Sequence, residues 1–172
     1  MIVKVCGVRT AAIAECAVDA GADWVGVVLE PRSPRHAAGA EVEAVRRALA
    51  GRADLVGVLV EPPVERCREL TRRHRLDALQ LHGQVDPGVV GDLDVTVIRA
   101  VNPAGPGEAF TTDWWPDCLL LLDRAPRRGG ALPGGTGLPI DLEMAAEVAA
   151  REAFARLEAR RLRPVAAGAV ER

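Results

Sequence analysis

Short apolar runs alternate along the chain with segments whose apolar residues recur every three or four positions. The runs are IVKVCGV (2–8), DWVGVVL (23–29), DLVGVLV (54–60), DALQLHG (77–83), VTVIRAV (95–101), CLLLLDR (118–124) and a weaker RPVAAGA (163–169). They are rich in valine and leucine and do not alternate in polarity, which predicts parallel strands buried on both faces. Between them, AAIAECAVDAGA (11–22), GAEVEAVRRALAG (39–51) and PVERCRELTRRHR (63–75) carry the spacing of amphipathic helices. Gly21 and Gly51 stand where helix C-terminal glycines belong. The fourth and fifth connections are short and Pro/Gly-rich, and they predict no definite helix.

Strand–helix alternation at a period of about 25 residues implies repeated right-handed β-α-β units. An open doubly wound sheet and a (β/α)8 barrel both fit that rhythm. No G-x-G-x-x-G follows the first run, which weakens the dinucleotide-binding form of the open sheet. A barrel places polar and reactive residues at strand C-terminal ends, where the loops form the active-site face. Cys6, Arg35, His82, Arg99 and Asp123 end or follow their runs in this way. A single (β/α)8 TIM-barrel-type domain over residues 1–172 is the expected fold. Seven strands are recognisable and the eighth β/α unit has no counterpart; such barrels take about 200–250 residues, and this chain has 172.

Composition narrows the function. A net charge of −2 gives no general attraction to nucleic acid or acidic membranes. The Arg/Ala-rich stretch 149–163 interleaves glutamates at helical spacing, so it reads as a solvated helix and not a nucleic-acid tail. Cys6, Cys16, Cys67 and Cys118 show no metal-ligand spacing, and only His36, His74 and His82 accompany them, so no zinc site is expected. No basic-plus-apolar leader and no apolar run of membrane-spanning length are present, and the thiols suit a reducing, cytoplasmic setting.

The stretches KVCGVRT, AVDAGADWVGVVL, PRSPRH, LVGVLVEPP, ALQLHG, VIRAV, LLLLD and GGTGLPID occur in order from residue 2 to about residue 142. In this combination they resemble the phosphoribosylanthranilate isomerase family of tryptophan biosynthesis, over about four fifths of the chain. The resemblance implies a small (β/α)8 barrel. It implies an Amadori rearrangement of N-(5′-phosphoribosyl)anthranilate to the 1-deoxyribulose 5-phosphate product, with no metal or organic cofactor. It also implies Cys6 as base and Asp123 as acid, and Arg35 as holder of the anthranilate carboxylate, a task that suits a planar fork of donors. Lys4, on the strand face of Cys6, would favour the thiolate, and burial behind CLLLL would favour a protonated Asp123. His82 belongs to the family motif in a supporting place. Gly134, Gly135, Thr136 and Gly137 would form a loop over the substrate, and Gly168 would stand in for a phosphate-side glycine.

Four departures accompany the likeness. The family's C-G-L-T-R followed by acids is CGVRTAAI here, so Arg9 either replaces an arginine one position on or points elsewhere. The aromatic pair after the glycine loop is replaced by Ile140-Asp141-Leu142, and a long Ala/Arg/Glu helix is expected over 142–162. The family's eighth strand and its phosphate-binding loop lack a clear match. These leave three readings: an active isomerase, completed in some oligomer by a second copy over the open barrel seam; a barrel enzyme acting on another phosphosugar amine; or an inactive relative. Retention of both Cys6 and Asp123 ranks the isomerase first.

Overall fold

The computed structural model describes residues 2–86, 88, 91, 93–101, 118–123, 146 and 150. Six strands and three long helices alternate through them: β1 (Lys4–Cys6), α1 (Ala11–Asp19), β2 (Trp24–Val28), α2 (Gly39–Leu49), β3 (Asp54–Val60), α3 (Val64–His74), β4 (Ala78–His82), β5 (Thr96–Val101) and β6 (Leu119–Leu122). The strands form one parallel sheet in the order β1-β2-β3-β4-β5-β6. A doubly wound sheet reverses its strand order at a switch point. Here every strand pairs with its successor, and the sheet curls as half a barrel. The weak seventh run (163–169) and the helix expected over 142–162 fall largely outside the described residues, as does any eighth unit; Ala146 and Ala150 are helical.

Strand parity separates two apolar layers. Val25, Val27, Leu29, Leu55, Leu59, Leu79, Leu81 and Val97 pack with Ala14 and Ala17 of α1, Val42, Val45 and Leu49 of α2, and Cys67 and Leu70 of α3. The opposite parity gives a smaller inner cluster of Val56, Ala78 and Ile98, with Trp24, Leu119 and Leu121 against it. So α1–α3 cover the outer face of the sheet, and the inner face is filled near the strand N-terminal ends. Gly57 belongs to the outer layer, where Leu76 and Leu29 occupy the space a Cβ would need.

Local chemistry sets the helix ends. Thr10 Oγ1 accepts the Ile13 N–H at 3.3 Å and caps α1, which gives the exchanged Arg-Thr order a structural use. Gly21, at φ +89°, ends α1 in a Schellman turn, with Ala22 N–H on Ala17 O and Gly21 N–H on Val18 O. At α2, Glu41 reaches back to the Ala38 N–H at 2.7 Å. That helix ends in two left-handed residues, Ala50 and Gly51, so the expected glycine is preceded by an alanine in the same conformation. Helix α3 starts after Pro63 and closes on Arg72 and Arg73, cations that suit the C-terminal end of the helix dipole, and on His74.

The strand starts repeat one device. Asp23, Asp54 and Asp77 lie at or just before the starts of β2, β3 and β4. Asp23 accepts the Val3 N–H at 2.8 Å, Asp54 the Trp24 indole N–H at 3.1 Å, and Asp77 the Leu55 N–H at 2.7 Å. Arg46 also grips Asp77 with two nitrogens, at 2.7 and 3.2 Å. Burial opposes the Asp77 charge, but the Arg46 and Leu55 donors outweigh it and hold the carboxyl below its ordinary range. All four cysteines are free; Cys67 and Cys118 are buried, Cys6 and Cys16 exposed. Burial pushes the Cys67 thiol up to about 11, so it behaves as a packed apolar group. Among the described residues no helix is long and apolar enough to cross a membrane, and no cluster of His, Cys, Asp or Glu is arranged to hold a metal.

Candidate active site

The inner face carries apolar side chains low in the sheet and polar ones at the strand C-terminal ends. On β1, Lys4 and Cys6 are two residues apart and share the inner face. They meet over Gly26 of β2. A Cβ placed on Gly26 would lie 2.9 Å from Cys6 Sγ and 3.0 Å from Lys4 Nζ. The absence of a side chain there makes room for both heads. The glycine inside the VGVV run is the sequence signal for such a close approach.

Gly7 explains why a glycine follows the cysteine. Its φ is +84°, and its N–H and that of Val8 both donate to Gly26 O, which ends β1 in a tight turn. Arg35 packs over it. A Cβ on Gly7 would lie 3.2 Å from Arg35 Cδ and 3.5 Å from Nη1. The S-P-R loop therefore folds back on the end of β1 and sets an exposed guanidinium over Gly7, the residue after Cys6. Glu30 holds that loop. Its carboxylate is 2.6 Å from Arg32 Nε, its carbonyl accepts the Ser33 N–H, and Ser33 in turn accepts from Arg35 N and His36 N. The Arg32 hydrogen bond keeps the Glu30 carboxyl below its ordinary range although the residue is buried. Glu30 has no place in the sequence expectations; as a charged residue after an apolar strand it was visible but had no motif.

At the far side of the curled sheet, His82 ends β4 and Asp123 follows β6. His82 is 4 % exposed, with Nδ1 3.8 Å from Asp123 Oδ2. Its Nε2 is 2.6 Å from the side-chain amide of Gln80, two residues earlier on the same face. Burial disfavours the imidazolium and so do the charges of Lys4 and Arg99, while Asp123 opposes them; the balance lowers the His82 pKa from its ordinary value. Lys4 thus links the two sides of the site, touching the space beside Cys6 and acting electrostatically on His82. Asp123 is less buried than its apolar run suggests: its side chain is 20 % exposed, because β6 is only half-covered along its length.

A family model described as N-(5'phosphoribosyl)anthranilate (PRA) isomerase matches residues 3–159. The chain belongs to that family. The N-(5'-phosphoribosyl)anthranilate isomerase of Brucella canis is 34 % identical over 150 residues, which span 84 % of this chain and 68 % of the relative. The phosphoribosyl anthranilate isomerase structure from Thermus thermophilus is 31 % identical and superposes with a TM-score of 0.72 over 88 % of this chain and 73 % of that one. A phosphoribosyl anthranilate isomerase solved with reduced 1-(o-carboxyphenylamino)-1-deoxyribulose 5-phosphate is 26 % identical, with a TM-score of 0.63 over 73 % of this chain and 66 % of that one.

Within this phosphoribosylanthranilate isomerase fold, Cys6 and His82 end β1 and β4, Asp123 follows β6, Arg35 lies in the loop after β2, and Lys4 opens β1 with its ammonium beside Gly26. Gly134, Gly135, Thr136, Gly137 and Gly168 lie outside the described residues. Arg9 resolves to the second of its two readings: it pairs with Glu41 at 2.8 Å, at the start of α2. Arg99 has the parity of Val97 and pairs in register with Leu81, so it sits on the helix-facing side and not among the residues of the mouth. Gln80 is the residue that the sequence reading passed over; its i, i+2 spacing to His82 on a strand was the available signal.

Proposed function

We propose that this chain catalyses the isomerisation of N-(5′-phosphoribosyl)anthranilate to 1-(2-carboxyphenylamino)-1-deoxyribulose 5-phosphate, a step of tryptophan biosynthesis. The observation that carries it is the convergence of Cys6, Lys4, His82 and Asp123 at one end of a sheet shared with this enzyme family. In this reading Asp123 gives its proton to the ring oxygen, and the C1′–O bond breaks to leave a protonated Schiff base. Cys6, as thiolate beside the Lys4 ammonium, takes the C2′ proton. The C2′–H electron pair becomes the C1′–C2′ double bond, and the enolamine nitrogen takes up the electrons of the iminium. Tautomerisation then returns a proton to C1′ and yields the C2′ ketone, so no oxidant, reductant or net proton is needed.

Arg35 takes the anthranilate carboxylate with its planar donors from over Gly7. The glycine loop 134–137 and Gly168 complete the reading as lid and phosphate contact. A second copy of the chain over the open barrel seam, where Ile2 and Val3 just before β1 are exposed, completes the proposed assembly; sedimentation analysis tests it. The direct test is turnover of phosphoribosylanthranilate by purified protein, followed as loss of anthranilate-type fluorescence. Turnover with a KM raised at least tenfold in Arg35→Ala supports the reading. A folded chain without turnover overturns it.

A further inference from the structure

Gln80, His82 and Asp123 form a line of polar groups across β4 and β6. Gln80 and His82 are each 4 % exposed. Among the described residues, His82 Nδ1 and Gln80 Oε1 are buried without a hydrogen-bond partner. A buried polar atom left so calls for an explanation. A neutral imidazole has one N–H and one lone pair. Gln80 Nε2 faces His82 Nε2 at 2.6 Å; two donors cannot face each other, so with the amide in this orientation Nε2 is the acceptor. The ring proton then resides on Nδ1, the atom 3.8 Å from Asp123 Oδ2. The reversed amide would require Nε2–H and leave a lone pair on Nδ1, so the orientation of the Gln80 amide sets the tautomer.

We propose that His82 is a positioning residue for Asp123: locked by Gln80 as the Nδ1–H tautomer, it donates to Oδ2 and leaves Oδ1 as the oxygen that delivers the proton. The inference rests on the isomerase reading for the identity of the acid. A gap of 3.8 Å is longer than a hydrogen bond; such contacts commonly tighten when substrate binds. As Asp123 gives up its proton, the His82 N–H comes to face a full carboxylate and the bond becomes charge-assisted. It therefore strengthens towards the transition state, and its loss falls on kcat more than on KM. Gln80 on its own strand, Lys4 from β1 and Asp123 after β6 act on the ring from the inner face, and Arg99 acts on it from the helix-facing side of β5. Burial foremost, and then the charges of Lys4 and Arg99, oppose a second ring proton against the pull of Asp123.

Two substitutions separate the ring nitrogens. His82→Asn keeps an N–H at the position of Nδ1, whereas His82→Gln places its amide where Nε2 was. We expect His82→Asn to hold kcat within about threefold, and His82→Gln to lose roughly tenfold or more with KM nearly unchanged. Nitrogen-15 spectra of the unmutated, unliganded chain read the tautomer directly, and they need neither substrate nor turnover. An Nδ1–H signature with the Asn/Gln split supports the proposal. An Nε2–H signature overturns it, as do equal kcat losses in the two variants or an effect confined to KM.

Discussion

The two ends of the same six strands solve different problems. At the N-terminal ends, carboxylates and donors are matched: Asp23 with Val3, Asp54 with the Trp24 indole, Asp77 with both Arg46 and Leu55. At the C-terminal ends, matching is incomplete. His36 Nδ1, Gln80 Oε1 and His82 Nδ1 are buried without partners among the described residues, and Glu61 leaves β3 in the left-handed region at φ +47°. The Glu61 side chain lies where Gly83 would carry a Cβ, and its Oε1 accepts the Gln84 N–H. Such groups cost stability, and they collect where substrate would meet them. The helix layer is not wholly satisfied either. Thr71 Oγ1 and His74 Nδ1 are also unpartnered, although His74 lies 3.6 Å from Glu43. The difference teaches that one end of the sheet is built for folding and the other for chemistry.

The comparison breaks most sharply at Cys6 and Asp123. Cys6→Ala and Asp123→Asn should each lower kcat by about 10²–10⁴-fold. Their unfolding midpoints should move little, since Cys6 is exposed and Asp123 part-exposed. Urea titrations beside the kinetics check both halves of that statement. Gly26→Ala comes next. Its Cβ would intrude on Cys6 Sγ and Lys4 Nζ, both ends of movable side chains, so the fold should survive while misplacement costs on the order of ten- to a hundredfold in kcat.

At the opposite end the signs reverse. Asp77→Ala removes a bidentate partner of Arg46 and an acceptor for Leu55, and should cost about 1–3 kcal/mol of stability, with kcat unchanged. Thermal melts should show a fall of about 2–4 °C for each kcal/mol. The smallest effect is a pH dependence. The folded-state pKa of His82 lies below its ordinary 6.5, so the unfolded chain takes up the proton first. That contribution to stability is fully present above 6.5 and is lost as pH falls through the lower folded value. Urea midpoints should therefore drop between about pH 7.5 and pH 5, and less so in His82→Asn.

Much of this division was legible in the chain. Valine- and leucine-rich runs of seven residues predicted the described strands to within a few positions at each end, because a sheet covered on both faces demands continuous apolarity. Strand order was not legible from periodicity alone, since doubly wound sheets share the same alternation; the absent glycine fingerprint and the polar run ends decided it. Cys6, His82 and Asp123 could be found because each ends a run. Gly26, Glu30 and Gln80 could not be ranked without coordinates. Their roles depend on what lies on neighbouring strands: two side chains above Gly26, a loop arginine against Glu30, and a ring whose tautomer Gln80 fixes. Asp123 was expected to be buried by its own apolar run, but side-chain exposure at the end of β6 depends on its neighbours.

The most direct test is turnover of phosphoribosylanthranilate by four purified forms side by side: unmodified, Cys6→Ala, Asp123→Asn and Asp77→Ala, each with its unfolding free energy. The account predicts turnover in the unmodified chain, its loss in the two mouth variants without loss of stability, and full turnover in a destabilised Asp77→Ala. Turnover that survives in Cys6→Ala and Asp123→Asn, or that vanishes with Asp77→Ala while the protein stays folded, would contradict it.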